Sequence, residues 1–228
     1  MITVHHLENS RSQRILWLLE ELDLDYEIKH YARDPQTQLA PDLLKKIHPL
    51  GKSPVITDGD GDDKRTLAES GTIIEYLARR YGNGEWAPAL EDEQYWNYHY
   101  WMQYAEGSLM PPLLLKLVFN KIRTEPPFFI RPITGKIADQ VDGVFTNQQI
   151  KTHFRYVDQH LASHAWFLGD EISAADIQMS FPLEAAVARN TIGEEYPYVH
   201  GFVSKFQARP AYLRALEAGG EYDYGPKR

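Results

Sequence analysis

The chain contains no cysteine. A disulfide framework, a thiolate metal site and a cysteine nucleophile are therefore excluded, and any sulfur chemistry has to come from a bound thiol. No run approaches the length of a membrane-spanning apolar helix. The first residues, Met1 to Arg14, lack the basic stretch and apolar core of a secretory signal. Positive charge is in deficit: 24 Lys and Arg face 32 Asp and Glu, for a net charge of -8. That balance opposes a nucleic-acid partner, and no basic run with interleaved aromatics overrides it. The expectation is a cytoplasmic protein that engages neither nucleic acid nor membrane. What the chain does have is 43% hydrophobic residues over 228 positions, enough for real cores in one large or two small domains.

Ile2 to His6 reads as a short strand. Ile15, Leu18, Leu19 and Leu22 then recur at helical spacing as one apolar stripe. Tyr26 to Tyr31 is predicted as a second strand, Pro41 to Ile47 as a short helix, and Val55 to Thr57 as a third strand entering the turn-rich Asp58-Gly59-Asp60-Gly61-Asp62. Thr66 to Ala68 returns as the fourth. Ile73, Ile74, Leu77 and Tyr81 mark a helix with Ser70 at its N-cap and Gly82-Asn83-Gly84 as its stop. The order β-α-β-α-β-β-α makes an α/β domain of residues 1–82, and the weakly periodic residues 83–92 read as a linker. From 93 to 228 the strand signals vanish. Periodic segments broken at Pro111-Pro112, Pro126-Pro127, Gly169 and Pro197 predict an all-α domain. Within it, Ser173-Ala174-Ala175-Asp176 has the spacing of a capping box flanked by Ile172 and Ile177, which fixes a helix start.

Four motifs stand in order: Asn9-Ser10-Arg11-Ser12-Gln13-Arg14 before the first helix, His48-Pro49-Leu50-Gly51-Lys52-Ser53-Pro54-Val55, Leu67-Ala68-Glu69-Ser70, and the capping box. With these motifs the chain resembles the cytosolic glutathione transferase superfamily over nearly its whole length, and is most similar to the serine-type branch of bacteria and fungi. The resemblance implies a glutathione transferase fold, with a thioredoxin-like N-terminal domain and an all-α C-terminal domain. It implies a cis bond at Ser53-Pro54, where the backbone before proline pairs with the cysteinyl unit of glutathione. It also implies a symmetric homodimer, and glutathione as co-substrate in place of any cofactor.

The chemistry can be argued beside the resemblance. The γ-glutamyl end of glutathione carries an ammonium and a carboxylate. Glu69 supplies an anion for the first, while Ser70 supplies a hydroxyl and free helix-terminal amides for the second, although capping its own helix is sufficient reason for that serine. Lys52 can neutralise the glycyl carboxylate. A free thiol with a pKa of about 8.5 is only a few per cent thiolate at neutral pH, so the enzyme has to stabilise the anion. In the serine-type branch the activating Ser lies four residues before an Arg, a spacing that Ser10 and Arg14 match. Ser10 is the expected hydrogen-bond donor to the thiolate, with Ser12 and Asn9 as alternates in the same loop. Arg14 is expected to pair within the first domain. A hydrophobic electrophile is expected between the domains, against the helix carrying Tyr95, Trp96, Tyr98, Tyr100, Trp101 and Tyr104, with Tyr104, Ser108 and Met110 as candidate contacts.

Other patterns fail on context. Asp58, Asp60, Asp62 and Glu69 match a calcium loop, but Asp63 stands where that loop needs Gly. Gly51-Lys52-Ser53 ends like a phosphate loop, but Lys46 occupies the upstream Gly position. His160 and His164 share a helical face without a third ligand. Two competing functions remain: glutathione-dependent disulfide or peroxide reduction, and a ligand-binding member without catalysis. The sequence leaves open whether the tail from Gly219 to Arg228 covers the site.

Overall fold

The computed structural model describes residues 1–226. Its first part is a four-stranded mixed sheet: β1 (Ile2–Leu7), β2 (Tyr26–Tyr31), β3 (Val55–Asp58) and β4 (Arg65–Ala68), in the order β2-β1-β3-β4. β1 runs parallel to β2, with Ile2 opposite Tyr26 and Leu7 opposite Tyr31. It runs antiparallel to β3, with His5 opposite Val55. The parallel pair needs a crossover, which α1 (Ser12–Glu21) provides. The expected short helix at residues 41–47 is a 3-10 turn, Asp42–Lys46. α2 (Ser70–Tyr81) follows β4 directly.

One expected boundary is corrected. Ser70 is the first helical residue of α2, and Glu69 takes the N-cap position with φ 69° and no side-chain cap. The left-handed backbone at Glu69 is what turns the chain from strand to helix without a loop. The Ser70 hydroxyl is thereby freed for a partner outside its own helix.

The helical part begins with α3 (Tyr95–Tyr104), which passes through a π-helical turn at Ala105–Leu109 into α4 (Met110–Thr124). A second pair, α5 (Arg131–Val141) and α6 (Asn147–Leu161), is joined by another such turn at Asp142–Thr146. Each turn shifts the register between its helices, so a 3.6-residue period followed from α3 assigns the wrong face to α4. α7 (Ala174–Ala188) is buried along nearly its whole length, its apolar residues and the polar Asp176, Gln178, Ser180 and Glu184 alike. It packs against α1, α2, α3 and α8 (Pro197–Gln207) and so joins both parts of the chain. Its start is the expected capping box. The Asp176 carboxylate accepts from the Ser173 amide and hydroxyl, each at 2.8 Å, and from the Phe167 amide at 2.8 Å.

α1 is held between the sheet and α9 (Pro210–Gly219). Trp17 stacks on Phe206 at 5.1 Å and meets the edge of Tyr212 at 5.6 Å, which explains why residues 15–19 are all buried where an amphipathic stripe predicts one face. Among the described residues no helix is long and apolar enough to cross a membrane.

Candidate active site

β1 ends at Leu7, and residues 8–11 turn into the N-terminus of α1, where unpaired backbone amides favour negative charge. Beside this turn the Ser53-Pro54 peptide bond is cis. The Ser53 hydroxyl donates to the His5 carbonyl at 3.1 Å, which ties the proline turn to the end of β1. A cavity of 490 Å³ opens here, lined by Asn9, Ser10, Lys52 and Ser53 on the sheet side and by Met110, Leu113, Leu114, Leu117 and Phe181 on the helical side. Its wall carries the cations Arg11, Arg33, Lys52, Lys121 and Arg189 against a single carboxylate, Asp223, the reverse of the balance of the whole chain.

The three candidate donors have different surroundings. Asn9, with φ 48°, is committed to the tail: its amide donates to Asp223 Oδ2 at 2.8 Å and its carbonyl oxygen accepts from the Asp223 amide at 2.8 Å. Ser12 is fully buried and does not line the cavity; its hydroxyl lies 2.9 Å from His6 Nδ1. Ser10 does line the cavity, with its hydroxyl 2.8 Å from both the Leu7 carbonyl and the Ser12 hydroxyl. The Ser10 oxygen also accepts from the Ser12 amide at 3.2 Å.

His6 ends this chain of hydroxyls. Burial, helped by the nearby His30, lowers its pKa to about 4, while a hydrogen bond with the Gly219 backbone works the other way. The Ser12 hydroxyl lies between His6 Nδ1 and the Leu7 carbonyl, the latter at 3.3 Å. The proton of Ser10 is free to rotate from the Leu7 carbonyl or Ser12 toward the cavity.

Glu69 and Ser70 line a different cavity, of 550 Å³, together with Thr72, Tyr76, His99, Gln103 and Glu106. One ion pair has a partner in each cavity: Arg11 Nε lies 2.9 Å from Glu106 Oε1. Arg14 donates to the same carboxylate, to the Ser70 hydroxyl and to the Gln178 carbonyl of α7. The expectation that Arg14 pairs within the first domain is therefore corrected, because two of its three partners lie in the helical part. Gln178 requires it. Pro182, four residues on, has no amide proton to give that carbonyl, so a guanidinium from α1 takes the vacant acceptor. Burial works against the Glu106 charge, but Arg14 and Arg11 outweigh it and hold the carboxyl below its usual range.

Both chain comparisons and family models bear on this arrangement. Residues 1–79 match the model of the glutathione S-transferase N-terminal domain, and residues 133–214 that of its C-terminal domain. Glutathione S-transferase 1 of Saccharomyces cerevisiae is 35% identical over 222 residues, spanning 95% of this chain and 94% of that protein. The chain belongs to the glutathione S-transferase family. Glutathione S-transferase 3 of Schizosaccharomyces pombe is 37% identical over 218 residues, 95% of this chain and 87% of that one. The Escherichia coli disulfide-bond oxidoreductase YfcG is 28% identical over 95% of this chain and 94% of its own. A solved glutathione S-transferase from Actinobacillus pleuropneumoniae superposes with a TM-score of 0.77 at 33% identity, covering 99% of this chain and 100% of that one.

In this family member the aromatic helix is not the cavity wall that its composition suggested. Tyr98, Trp101 and Tyr104 are buried in the core, Trp96 and Tyr100 are exposed, and none lines the cavity. Tyr104 bonds His153 Nδ1 at 2.6 Å. Ser108 lies in the π-helical turn and is likewise outside the cavity, which leaves Met110 as the only one of the three electrophile candidates on its wall. Glu106 escaped the sequence reading although it is the sole acid between Glu93 and Glu125, and such isolation is a usable signal.

The tail does reach the site. Asp223 and Tyr224 line the cavity, and Lys227 and Arg228 lie outside the described residues. Tyr222 anchors the tail below, donating to Glu184 at 2.9 Å; Gln207 donates to the same carboxylate at 2.8 Å, as does Tyr212. Burial pushes the Glu184 carboxyl up to about 7 against these three donors. Asp58, first residue of the calcium-like run, accepts from the Tyr76 and Tyr81 hydroxyls.

Proposed function

We propose that the protein is a glutathione transferase of the serine type, in which the Ser10 hydroxyl stabilises the glutathione thiolate for addition to a hydrophobic electrophile. The observation that carries this reading is the convergence of Ser10, Lys52 and Ser53 on one cavity at the N-terminus of α1. Glutathione lies with its cysteinyl unit against the Ser53 backbone and its glycyl carboxylate at Lys52. Its γ-glutamyl end extends to Glu69 and Ser70 in the neighbouring cavity.

In the reaction the thiol proton leaves to solvent and the Ser10 proton turns from Ser12 to the sulfur. The thiolate then attacks the electrophile, forming the carbon–sulfur bond as the leaving group departs. His6 and Ser12 position the Ser10 hydroxyl and do not touch the sulfur. Lowering the thiol pKa by about two units takes roughly 2.7 kcal/mol, within reach of a hydrogen bond to a charged group aided by the helix terminus. The electrophile rests on Met110, Leu113 and Phe181. The protein acts as a cytoplasmic C₂ dimer, a state that sedimentation checks.

The test is titration of glutathione into wild type, Ser10→Ala and Ser12→Ala, with thiolate absorbance followed against pH. Ser10→Ala is expected to bind glutathione but to raise the bound thiol pKa by about 1–2 units. Ser12→Ala is expected to raise it by less. An unchanged pKa in Ser10→Ala refutes the assignment. The similarity to a disulfide-bond oxidoreductase supports a second reading, reduction of glutathione mixed disulfides at the same serine, and turnover of such a disulfide in place of an electrophile would select it.

A further inference from the structure

Most cations of the main cavity already have work. Arg11 is paired with Glu106, and Arg33 donates to the Gln38 carbonyl at 2.9 Å and the Asn9 carbonyl at 3.1 Å. Lys121 lies 3.3 Å from Glu125, and Lys52 is taken up by the glycyl carboxylate in the function proposed above. Arg189 differs. It stands at the C-cap of α7 on the cavity wall, and among the described residues no carboxylate pairs with it. Its guanidinium lies 4.8 Å over the Tyr224 ring and donates to the Tyr224 hydroxyl. That hydroxyl accepts from arginine and retains its own proton for a further acceptor.

A planar guanidinium and an adjacent O–H donor, both facing one cavity, form a seat for a carboxylate. Phe181 connects it to the apolar wall, lying 5.8 Å from Tyr224 and 4.9 Å below Arg11. An uncharged electrophile of that width would leave the guanidinium facing apolar ligand without an anion, whereas an acid-terminated one satisfies both ends of the wall.

We propose that the second substrate is an electrophile with an apolar body and a carboxylate terminus, the body lying on Met110, Leu113 and Phe181 and the carboxylate held by Arg189 and Tyr224. This specificity rests on the transferase reading and deepens it. Substrates lacking the acid bind the same wall without the anchoring pair.

Two glutathione conjugates of equal chain length, S-hexylglutathione and S-(5-carboxypentyl)glutathione, test it by isothermal titration into wild type, Arg189→Gln and Tyr224→Phe. Arg189 is exposed and Tyr224 half-buried, and Tyr224→Phe keeps the ring, so the variants are expected to fold; a thermal scan verifies this. Wild type is expected to prefer the carboxylated conjugate by about tenfold, the yield of one charge-assisted hydrogen bond. Arg189→Gln is expected to reverse the preference and Tyr224→Phe to reduce it, with affinity for glutathione itself unchanged in both. Oxidised glutathione, titrated in the same series, tells whether the acid arrives on an organic electrophile or on a second glutathione unit: a loss confined to the carboxypentyl conjugate assigns the former. If wild type binds glutathione but prefers the hexyl conjugate, or if Arg189→Gln leaves the preference intact, the carboxylate seat is overturned while the transferase reading stands. If neither glutathione nor either conjugate binds wild type, the transferase reading fails and the seat fails with it.

Discussion

Replacing Arg14 by Met removes the one side chain that joins α1, α2, the π-helical turn and α7. Arg14 is 3% exposed, and breaking a buried ion pair from one side costs about 3–5 kcal/mol. Arg11 remains on Glu106 and moderates the loss, but the Gln178 carbonyl is left bare because Pro182 cannot donate to it. At about 2–4 °C per kcal/mol for a chain of this size, Arg14→Met should lower the melting temperature by roughly 6–20 °C. The sharper expectation concerns coupling. Pro182→Ala restores an amide to α7, and its benefit should be about 1 kcal/mol larger in the Arg14→Met background, where the carbonyl has no other donor, than in wild type. Urea denaturation of the four proteins gives the cycle. Equal effects of Pro182→Ala in both backgrounds, or a fall of less than about 3 °C for Arg14→Met, refute the account.

Two more outcomes can be checked on the same preparations. Because folding raises the Glu184 pKa from 4.5 to about 7, the folded protein holds that proton more tightly than the unfolded chain, and stability should fall as pH rises through this window. The loss is about 2.5 kcal/mol relative to Glu184→Gln, measured by denaturation at pH 5 and pH 8, and a difference that does not vary with pH contradicts it. Met110→Ala should weaken S-hexylglutathione by about fivefold through lost apolar contact while leaving glutathione unaffected, whereas Tyr104→Phe should change neither; an equal loss in both variants moves the electrophile wall back to α3.

The sheet was legible because its signals are local. The short strand run from Ile2 to His6, the aspartate-rich turn after Thr57 and the glycine stop after Tyr81 each act within a few residues. The capping box at Ser173 is equally local, which is why its geometry could be named from four letters. Ser10, Lys52 and Ser53 could be named as candidates because their motifs are short and adjoin the strand ends, and the fold brings them to one cavity. The aromatic residues of α3 stay off the cavity wall for a physical reason: the extra residue in the turn at Ala105–Leu109 rotates α4 relative to α3, and no periodicity within α3 reports it. Arg14 was assigned to the wrong partners because Glu106 and Gln178 come to it only through tertiary packing. Asp223, Tyr224 and Arg189 carry no local signal for the site at all, since the first two reach the cavity by the return of the tail and the third by the packing of the C-terminus of α7.

That return has a consequence in time. Asn9 and Asp223 are separated by 214 positions, so at 5–20 residues per second the loop that begins the site is synthesised roughly 10–40 s before the residue that clasps it. Through that interval the emerging sheet can form its strands, turn and helix terminus, yet the cavity lacks one wall. The cavity is thus closed only once Asp223 and Tyr224 are in place, long after the strand ends that form its other side.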